Sequence, residues 1–405
     1  MRSAPTPAAP RQRRRTLLAA TGLAAALALT ATACGGAEKD RADAEPGGGA
    51  SQAADTGSGG DGEVEIPAEL ADRLEEHGID ADRWKDGGWK DWDGDTWLSE
   101  AKDFVNPVIE GLWKPDRMRS AKEADKTVTT QDTAAGQGAT DPEPEPVEAT
   151  AEKTPYHDNA APVGKVFFDS PEGSMVCSGT VVKDANHPGK SNLVWTAGHC
   201  VHAGGSGGWY RNIAFVPSYN DLGKSEAELA NATTTETAPY GTWWADWAST
   251  SNQWIQGGAE DGGDGAAYDY SVLHVRPEQG SKSLEETVGA ALEVDFSAPS
   301  ATEVGSMGAW GYPAAAPYNG LEMFKCVDRP GRLSLSPSLP TMYRIGCTMT
   351  GGSSGGGWFR VVDGETRLVS NTSIGPLDNT WLAGPRLGRE AEAMYQNMSR
   401  THGGR

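Results

Sequence analysis

Cysteine is scarce in this sequence, and its spacing excludes two common kinds of site. Of the 405 residues five are cysteines, and no two of them form a C-x-x-C pair. Zinc ribbons and thioredoxin-type redox sites are therefore excluded. Cys177, Cys200, Cys326 and Cys347 lie in the C-terminal part, whereas Cys34 stands alone near the start. In an exported chain, an even set of four suggests two disulfides and leaves the fifth cysteine for another role.

Basic residues and long apolar runs are also few. Lys and Arg number 35 against 56 Asp and Glu, which gives a formal net charge of −21. Nucleic acid is excluded as a partner, because its binding depends on Lys and Arg neutralising phosphates. The apolar run from Leu17 to Leu29 is too short for a transmembrane helix.

Residues 1–33 have the features of a signal peptide, with arginines followed by that apolar run. Arg14-Arg15-Thr16-Leu17-Leu18 resembles a twin-arginine export signal but lacks the usual Phe. An ordinary signal with clustered arginines fits equally well, so both export routes stay open. Either route predicts an extracytoplasmic protein.

The residues around Cys34 predict how the exported chain is held. Ala31-Thr32-Ala33-Cys34 resembles a bacterial lipobox, in which the cysteine receives a diacylglyceryl group; Ala31-Thr32-Ala33 also fits plain cleavage and secretion. We expect lipidation of Cys34, because two acyl chains give stable anchoring. The membrane would then be contacted only through this anchor, on the outer face of the cell membrane. Residues 34–65, rich in Gly, Ala, Asp and Ser, are expected to form a disordered tether.

Two further segments separate the tether from the main domain. Residues 66–118 are predicted to be a Trp-rich, partly helical extension, and residues 119–155 an acidic Pro/Glu linker. The tryptophans cannot form a core alone, so they need a partner surface. A prosegment and an extension docked away from the site both remain open. Asp91-x-Asp93-x-Asp95 lacks the later Gly and Glu of a calcium loop, so no metal is expected.

Residues 156–405 are expected to form one all-β domain. Short β-branched and aromatic runs alternate with Gly, Pro, Asn and Asp, which is typical of sandwiches and barrels. A helix is predicted near the C-terminus, at Glu390–Met398, with its apolar residues on one face.

Three short motifs in this domain carry the groups that acyl transfer needs. His199 in Thr196-Ala197-Gly198-His199-Cys200 follows an apolar strand and suits a general base. Asp269 heads the apolar run that follows it and could orient the base; Asp264 is a rival, but no strand follows it. Gly351-Gly352-Ser353-Ser354-Gly355-Gly356 offers a hydroxyl within a tight turn. A flexible linker is the alternative for this last motif, although a strand follows it directly.

The three motifs resemble those of the trypsin-like serine peptidases. T-A-G-H-C is similar to the family's histidine motif T-A-A-H-C, and G-G-S-S-G-G is similar to G-x-S-G-G. Aligning the trailing glycines places the nucleophile at Ser354 rather than Ser353. The order His199, Asp269, Ser354 is also the order of this family. The resemblance covers about residues 156 to 400 and is nearest to a bacterial branch beside the glutamyl endopeptidases.

The resemblance implies a fold and a set of supporting residues. The fold would be two six-stranded antiparallel β-barrels followed by the C-terminal helix. Disulfides would join Cys177 to Cys200 and Cys326 to Cys347. The N–H groups of Gly352 and Ser354 would form the oxyanion hole. Ser370 and Asn371 resemble the strand that pairs with a bound peptide.

The predicted function is that of a monomeric extracytoplasmic serine endopeptidase. It would act on peptide or protein substrates through an acyl-enzyme, with no cofactor. Ser353 stands where animal members carry an Asp that pairs with a new N-terminus, so a trypsin-style activation is not expected. A catalytically weak binding protein on the same scaffold is the alternative.

Overall fold

The computed structural model describes residues 104, 106, 108–124, 126–129 and 139–404, except 161, 206 and 260. The predicted signal peptide, the lipidation of Cys34, the tether and residues 66–103 of the extension lie outside the described residues. Within the described ranges, no helix has both the length and the apolar character needed to cross a bilayer.

The first half of the domain is a closed barrel. Three two-residue strands come first in the chain: β1 Lys122–Glu123, β2 Thr127–Val128 and β3 Thr150–Ala151. The barrel follows as β4 Val163–Ser170, β5 Gly173–Val182, β6 Leu193–Thr196, β7 Arg211–Pro217, β8 Trp243–Thr250 and β9 Ser271–Pro277. These six strands pair antiparallel in the order β5-β4-β7-β8-β9-β6, and a β5–β6 pairing closes the ring.

The second half consists of smaller sheets around two further apolar clusters. Its strands are β10 Glu293–Val294, β11 Met307–Gly311, β12 Phe324–Asp328, β13 Gly331–Leu333, β14 Met342–Gly346, β15 Gly357–Val362, β16 Glu365–Asn371, β17 Gly375–Pro376 and β18 Trp381–Gly384. One sheet has the order β10-β16-β15-β11-β12-β3, and another has the order β13-β14-β18. The predicted all-β, trypsin-like architecture is confirmed with one closed six-stranded barrel, whereas the second half consists of these separate sheets instead of a second closed barrel.

Helices are short apart from the C-terminal one. They are α1 Pro115–Ser120, α2 Tyr156–Asn159, α3 Glu226–Leu229, α4 Thr234–Thr237, α5 Asn252–Gly257, α6 Leu284–Val288, α7 Ala301–Val304 and α8 Arg389–His402. The predicted C-terminal helix is confirmed as α8. It packs against β8 and β9 and buries Ala391, Tyr395 and Met398. The hydroxyl of Tyr395 donates a hydrogen bond to the Lys183 carbonyl at 2.6 Å.

The part of the expected linker that the structure describes contacts the barrels. Thr150–Ala151 pairs antiparallel with β12, and Asp141 forms an ion pair with Arg332 at 2.7 Å. Glu152, buried, accepts hydrogen bonds from Lys325 Nζ at 2.9 Å and Trp310 Nε1 at 2.6 Å. These contacts attach residues 141–152 to the second half of the domain.

Candidate active site

His199 is held in a turn that covalent and steric contacts fix. A 3₁₀ turn, Gly198–Cys200, begins two residues after β6, and Cys200 is disulfide-bonded to Cys177 of β5. A Cβ added at Gly198 would lie 2.6 Å from Thr250 Oγ1 and 2.8 Å from the Trp254 ring. Such distances are too short for real atoms, so the glycine lets the turn lie directly on Thr250 and Trp254. The second predicted disulfide, Cys326–Cys347, is also present.

Asp269 lies against this turn, as predicted, at the head of β9. Its Oδ2 is 2.7 Å from His199 Nδ1, and its Oδ1 accepts the His199 backbone N–H at 2.8 Å. Both side chains are 0% exposed. One carboxylate therefore fixes both the backbone and the ring of His199, and it holds a proton on Nδ1. Asp264, the rival, is exposed.

The second imidazole nitrogen is left for chemistry. His199 Nε2 is buried and has no hydrogen-bond partner among the described residues. Buried polar atoms are seldom left unpaired, so an unpaired one requires an explanation, and a catalytic role is one such explanation. Ser354 Oγ therefore does not bond Nε2 in this structure. Catalytic hydrogen bonds of this kind often tighten only when substrate is bound.

The loop that carries Ser354 is docked beside the His199 turn. A Cβ added at Gly355, whose φ is +76°, would lie 2.1 Å from Thr196 Oγ1 and 2.8 Å from Ala197 N. Only glycine permits this backbone conformation and this approach. The Ser354 carbonyl accepts the Ser178 N–H at 2.7 Å, and Ser178 directly follows Cys177. The loop is thus attached to the strand that the disulfide joins to His199.

The loop's two serines have different surroundings. Ser353 Oγ donates to the Thr350 carbonyl at 2.7 Å, inside the loop. Its hydroxyl is therefore used in holding the turn. This leaves the hydroxyl of Ser354 as the better candidate nucleophile, in agreement with the alignment of the glycines.

Hydrogen bonds accepted by two loop carbonyls fix the direction of the N–H groups of Gly352 and Ser354. The Gly351 carbonyl accepts the Ala314 N–H at 2.6 Å, and the Ser353 carbonyl accepts the Gly356 N–H at 2.9 Å. In a trans peptide the N–H points opposite to the carbonyl. The N–H groups of Gly352 and Ser354 are therefore turned away from these internal contacts, as an oxyanion hole requires.

Ser373 is a candidate functional residue that the sequence interpretation missed. Its hydroxyl donates to Asp269 Oδ2 at 2.6 Å, so the carboxylate accepts three hydrogen bonds. Asn371 Nδ2 donates to the Asp269 carbonyl at 2.9 Å, and Trp195 Nε1 donates to Asn371 Oδ1 at 3.0 Å. Ser373 could have been found only as a hydroxyl just beyond a strand, a weak signal.

The predicted substrate strand at Ser370 and Asn371 is wrong. Both residues are 0% exposed and pair with β15 through Trp358 and Gly357. Ser370 Oγ donates to the Pro385 carbonyl at 2.7 Å. These inward contacts leave no free edge for a peptide. The half-buried edge lies further along, at Gly375–Pro376.

Two other buried groups near the barrel titrate unusually. Burial lowers the pKa of His202 to about 4 and the pKa of the Lys165 ammonium to about 7. Lys165 Nζ donates to the Gly320 carbonyl at 2.7 Å and lies 4.5 Å from the centre of the Tyr219 ring.

The Cys177–His199–Cys200 group has donor atoms at metal-binding distances, but both sulfurs are in the disulfide.

Comparison with known proteins gives solved structures but no match to a family model or to a curated protein. A thermostable serine protease, AL20, from an extremophilic microorganism is 32% identical, with 61% of this chain and 100% of that chain covered and a TM-score of 0.48. The protease Anisep from Arthrobacter nicotinovorans is 30% identical, with 62% and 99% covered and a TM-score of 0.49. A Glu endopeptidase is 14% identical, with 64% and 99% covered and a TM-score of 0.44.

Of the two proteins with the higher identities, AL20 is a serine protease and Anisep is a protease, and the alignments span all or nearly all of their length. The third likeness is too weak to add to this. The chain belongs to the trypsin-like serine proteases.

Proposed function

We propose that this protein is an extracytoplasmic serine endopeptidase that cleaves peptide bonds through an acyl-enzyme. Ser354 is the nucleophile, His199 is the general base and acid, and Asp269 orients His199. The observation that carries the proposal is the buried, unpartnered His199 Nε2 next to the serine loop. The hydrogen bonds to Asp269 leave that nitrogen as the proton acceptor of the imidazole.

The chemistry proceeds in two balanced halves. Ser354 Oγ attacks the peptide carbonyl carbon while its proton passes to His199 Nε2. The N–H groups of Gly352 and Ser354 stabilise the oxyanion, and loss of one such donor typically costs about 10²–10³-fold in rate. The C–N bond then breaks, and the leaving amine takes the proton from Nε2. Water hydrolyses the ester by the same steps in reverse order.

The location proposed from the sequence is compatible with the fold. Two disulfides brace the domain, and disulfides persist mainly in oxidising compartments outside the cytoplasm. The protein would be held by a lipid on Cys34 or be secreted, and would work as a monomer. Intact mass measurement of protein from its native membrane, compared with a Cys34→Ala variant, distinguishes the two forms.

Active-site labelling tests the proposal. A small fluorophosphonate should form a covalent adduct with the natural chain, and the Ser354→Ala variant should form none. Ser353→Ala is the matched control and should keep the adduct, although more slowly, because its lost hydrogen bond only supports the turn. An adduct that persists in Ser354→Ala would refute the assignment. Failure of the natural chain to form the adduct would favour a binding protein.

A further inference from the structure

A segment of the expected linker runs beside the catalytic histidine; we call residues 122–124 and 126–128 the crossing segment. At one end, β1 pairs with Met175–Val176 of β5, directly before Cys177. At the other end, β2 pairs with Gly375–Pro376, two residues beyond Ser373. The segment therefore runs between two strands that flank the His199–Asp269 pair.

The catalytic groups lie beneath covered surface. His199 is 0% exposed and Ser354 is 1% exposed. A cavity of about 420 Å³ beside His199 is lined in part by Glu123, Ala124, Lys126 and Thr127. Four residues of the crossing segment thus form a wall of the space next to the general base. A substrate that approached His199 through this cavity would meet these four residues.

The crossing segment binds in the way that a peptide would. Extended peptides bind many proteins by adding a strand to a free edge, and β2 adds a strand to β17. Both pairings are parallel, and the Gly375 N–H donates to the Lys126 carbonyl at 3.3 Å. Parallel pairing is slightly weaker per residue than antiparallel pairing, so other contacts must hold the segment.

An upstream anchor supplies part of that hold. Arg117 Nη2 donates to both carboxylate oxygens of Asp169, at 2.7 and 2.8 Å. Its guanidinium also lies 4.2 Å from the centre of the Trp113 ring. Trp113 is 2% exposed, and its Nε1 donates to the Asn212 carbonyl at 2.8 Å. A bidentate pair and a buried tryptophan fix the start of the segment on the first barrel.

A downstream anchor holds the other end. Val128 is 2% exposed and belongs to an apolar cluster with Ile374, Trp381 and Ala383. Its side chain therefore fills space beside the strand edge where a bound peptide would place its own side chains.

We propose that the crossing segment is a built-in inhibitor, which occupies the substrate cleft and must be displaced before a peptide binds. The inference rests on the proposed peptidase function and adds its regulation. Because the segment belongs to the same chain, its effective concentration is high. A foreign peptide has to compete with it, whereas weakening either anchor favours the open cleft.

Variants that loosen the anchors test this in the full chain. Arg117→Met together with Val128→Asp should raise both the kcat/KM for peptides and the rate of fluorophosphonate labelling, by about tenfold or more. The matched control is Arg332→Met with Val361→Asp. It breaks another bidentate Arg–Asp pair, with Asp141, and changes a valine that is 70% exposed; both rates should stay unchanged.

A second variant tests the proposal independently, in case the first variant does not fold. Val128→Pro removes the N–H through which β2 can pair with Gly375 and leaves the Arg117 anchor in place, and it should also raise the two rates. Equal rates in the natural chain and in these variants, with Ser354 labelled throughout, would overturn the inhibitor and leave the peptidase standing. Cleavage of the natural chain between residues 123 and 127, seen by intact mass, would also overturn it. No labelling in any variant would overturn the peptidase itself, and the inhibitor with it.

Discussion

Replacing Cys177 and Cys200 with alanine opens the disulfide that ties the His199 turn to β5. The bond joins residues 23 apart in sequence, and its chain-entropy contribution is about 3 kcal/mol at 25 °C. Cys326–Cys347 spans 21 residues, so its contribution should differ by less than about 0.5 kcal/mol. All four cysteines are buried to nearly the same extent, with 0% or 1% of each exposed. The two double variants should therefore lose similar stability.

Their effects on chemistry should differ. The first disulfide is adjacent to the base, and a misplacement of about 1 Å at a reacting group can cost about 100-fold in rate. We expect that loss in the fluorophosphonate labelling of Ser354 in Cys177→Ala/Cys200→Ala. Labelling in Cys326→Ala/Cys347→Ala should stay close to that of the natural chain. Urea unfolding gives the stabilities, and the labelling rate gives the chemistry. Equal loss of labelling in both variants would refute a positioning role for the first disulfide.

Two further changes probe buried charges. Asp269→Asn replaces a carboxylate that accepts three hydrogen bonds by an amide. We expect it to lower the rate of peptide hydrolysis by about 10⁴-fold. Asp264→Asn, at an exposed position, is the control, and an equal loss of rate in that variant would contradict the assignment of Asp269. Burial lowers the pKa of Lys165 from 10.5 to about 7. The unfolded chain then holds a proton that the folded chain has released, so this group makes stability rise with pH between about 7 and 10.5. Lys165→Met should reduce that slope, by at most about 1.4 kcal/mol per pH unit; unfolding free energies with equal slopes in both proteins would count against it.

The parts of the site that could be predicted from the sequence lie in short local motifs. His199, Asp269 and the serine loop each lie in a short run whose chemistry restricts the neighbouring residues, such as the glycines that allow close approach at Gly355. A Cβ at Gly198 would also collide with Thr250 and Trp254, which explains the glycine in T-A-G-H-C. Such restrictions are visible in the sequence because they act within a few residues.

Contacts between distant strands could not be predicted in this way. Strand β16 ends at Asn371, after which the Thr372 N–H turns to the Gly356 carbonyl and the Ser373 N–H to the Ala383 carbonyl. That change of partner buries Ser370 and leaves Gly375 to pair with the crossing segment, and no local pattern marks it. The crossing segment likewise has strands of two residues, too short for any periodicity. Its polar composition predicted a linker, and its position beside β5 and β17 is determined only by pairing with these distant strands.

Detection of an acyl-enzyme tests whether Ser354 is the nucleophile. A chromogenic peptide ester would be mixed with the Arg117→Met/Val128→Asp variant, quenched in acid during turnover and measured by intact mass and peptide mapping. We expect an added acyl group on Ser354, and no such mass when that serine is alanine. Ester turnover without an adduct, or an adduct on any other residue, would contradict it.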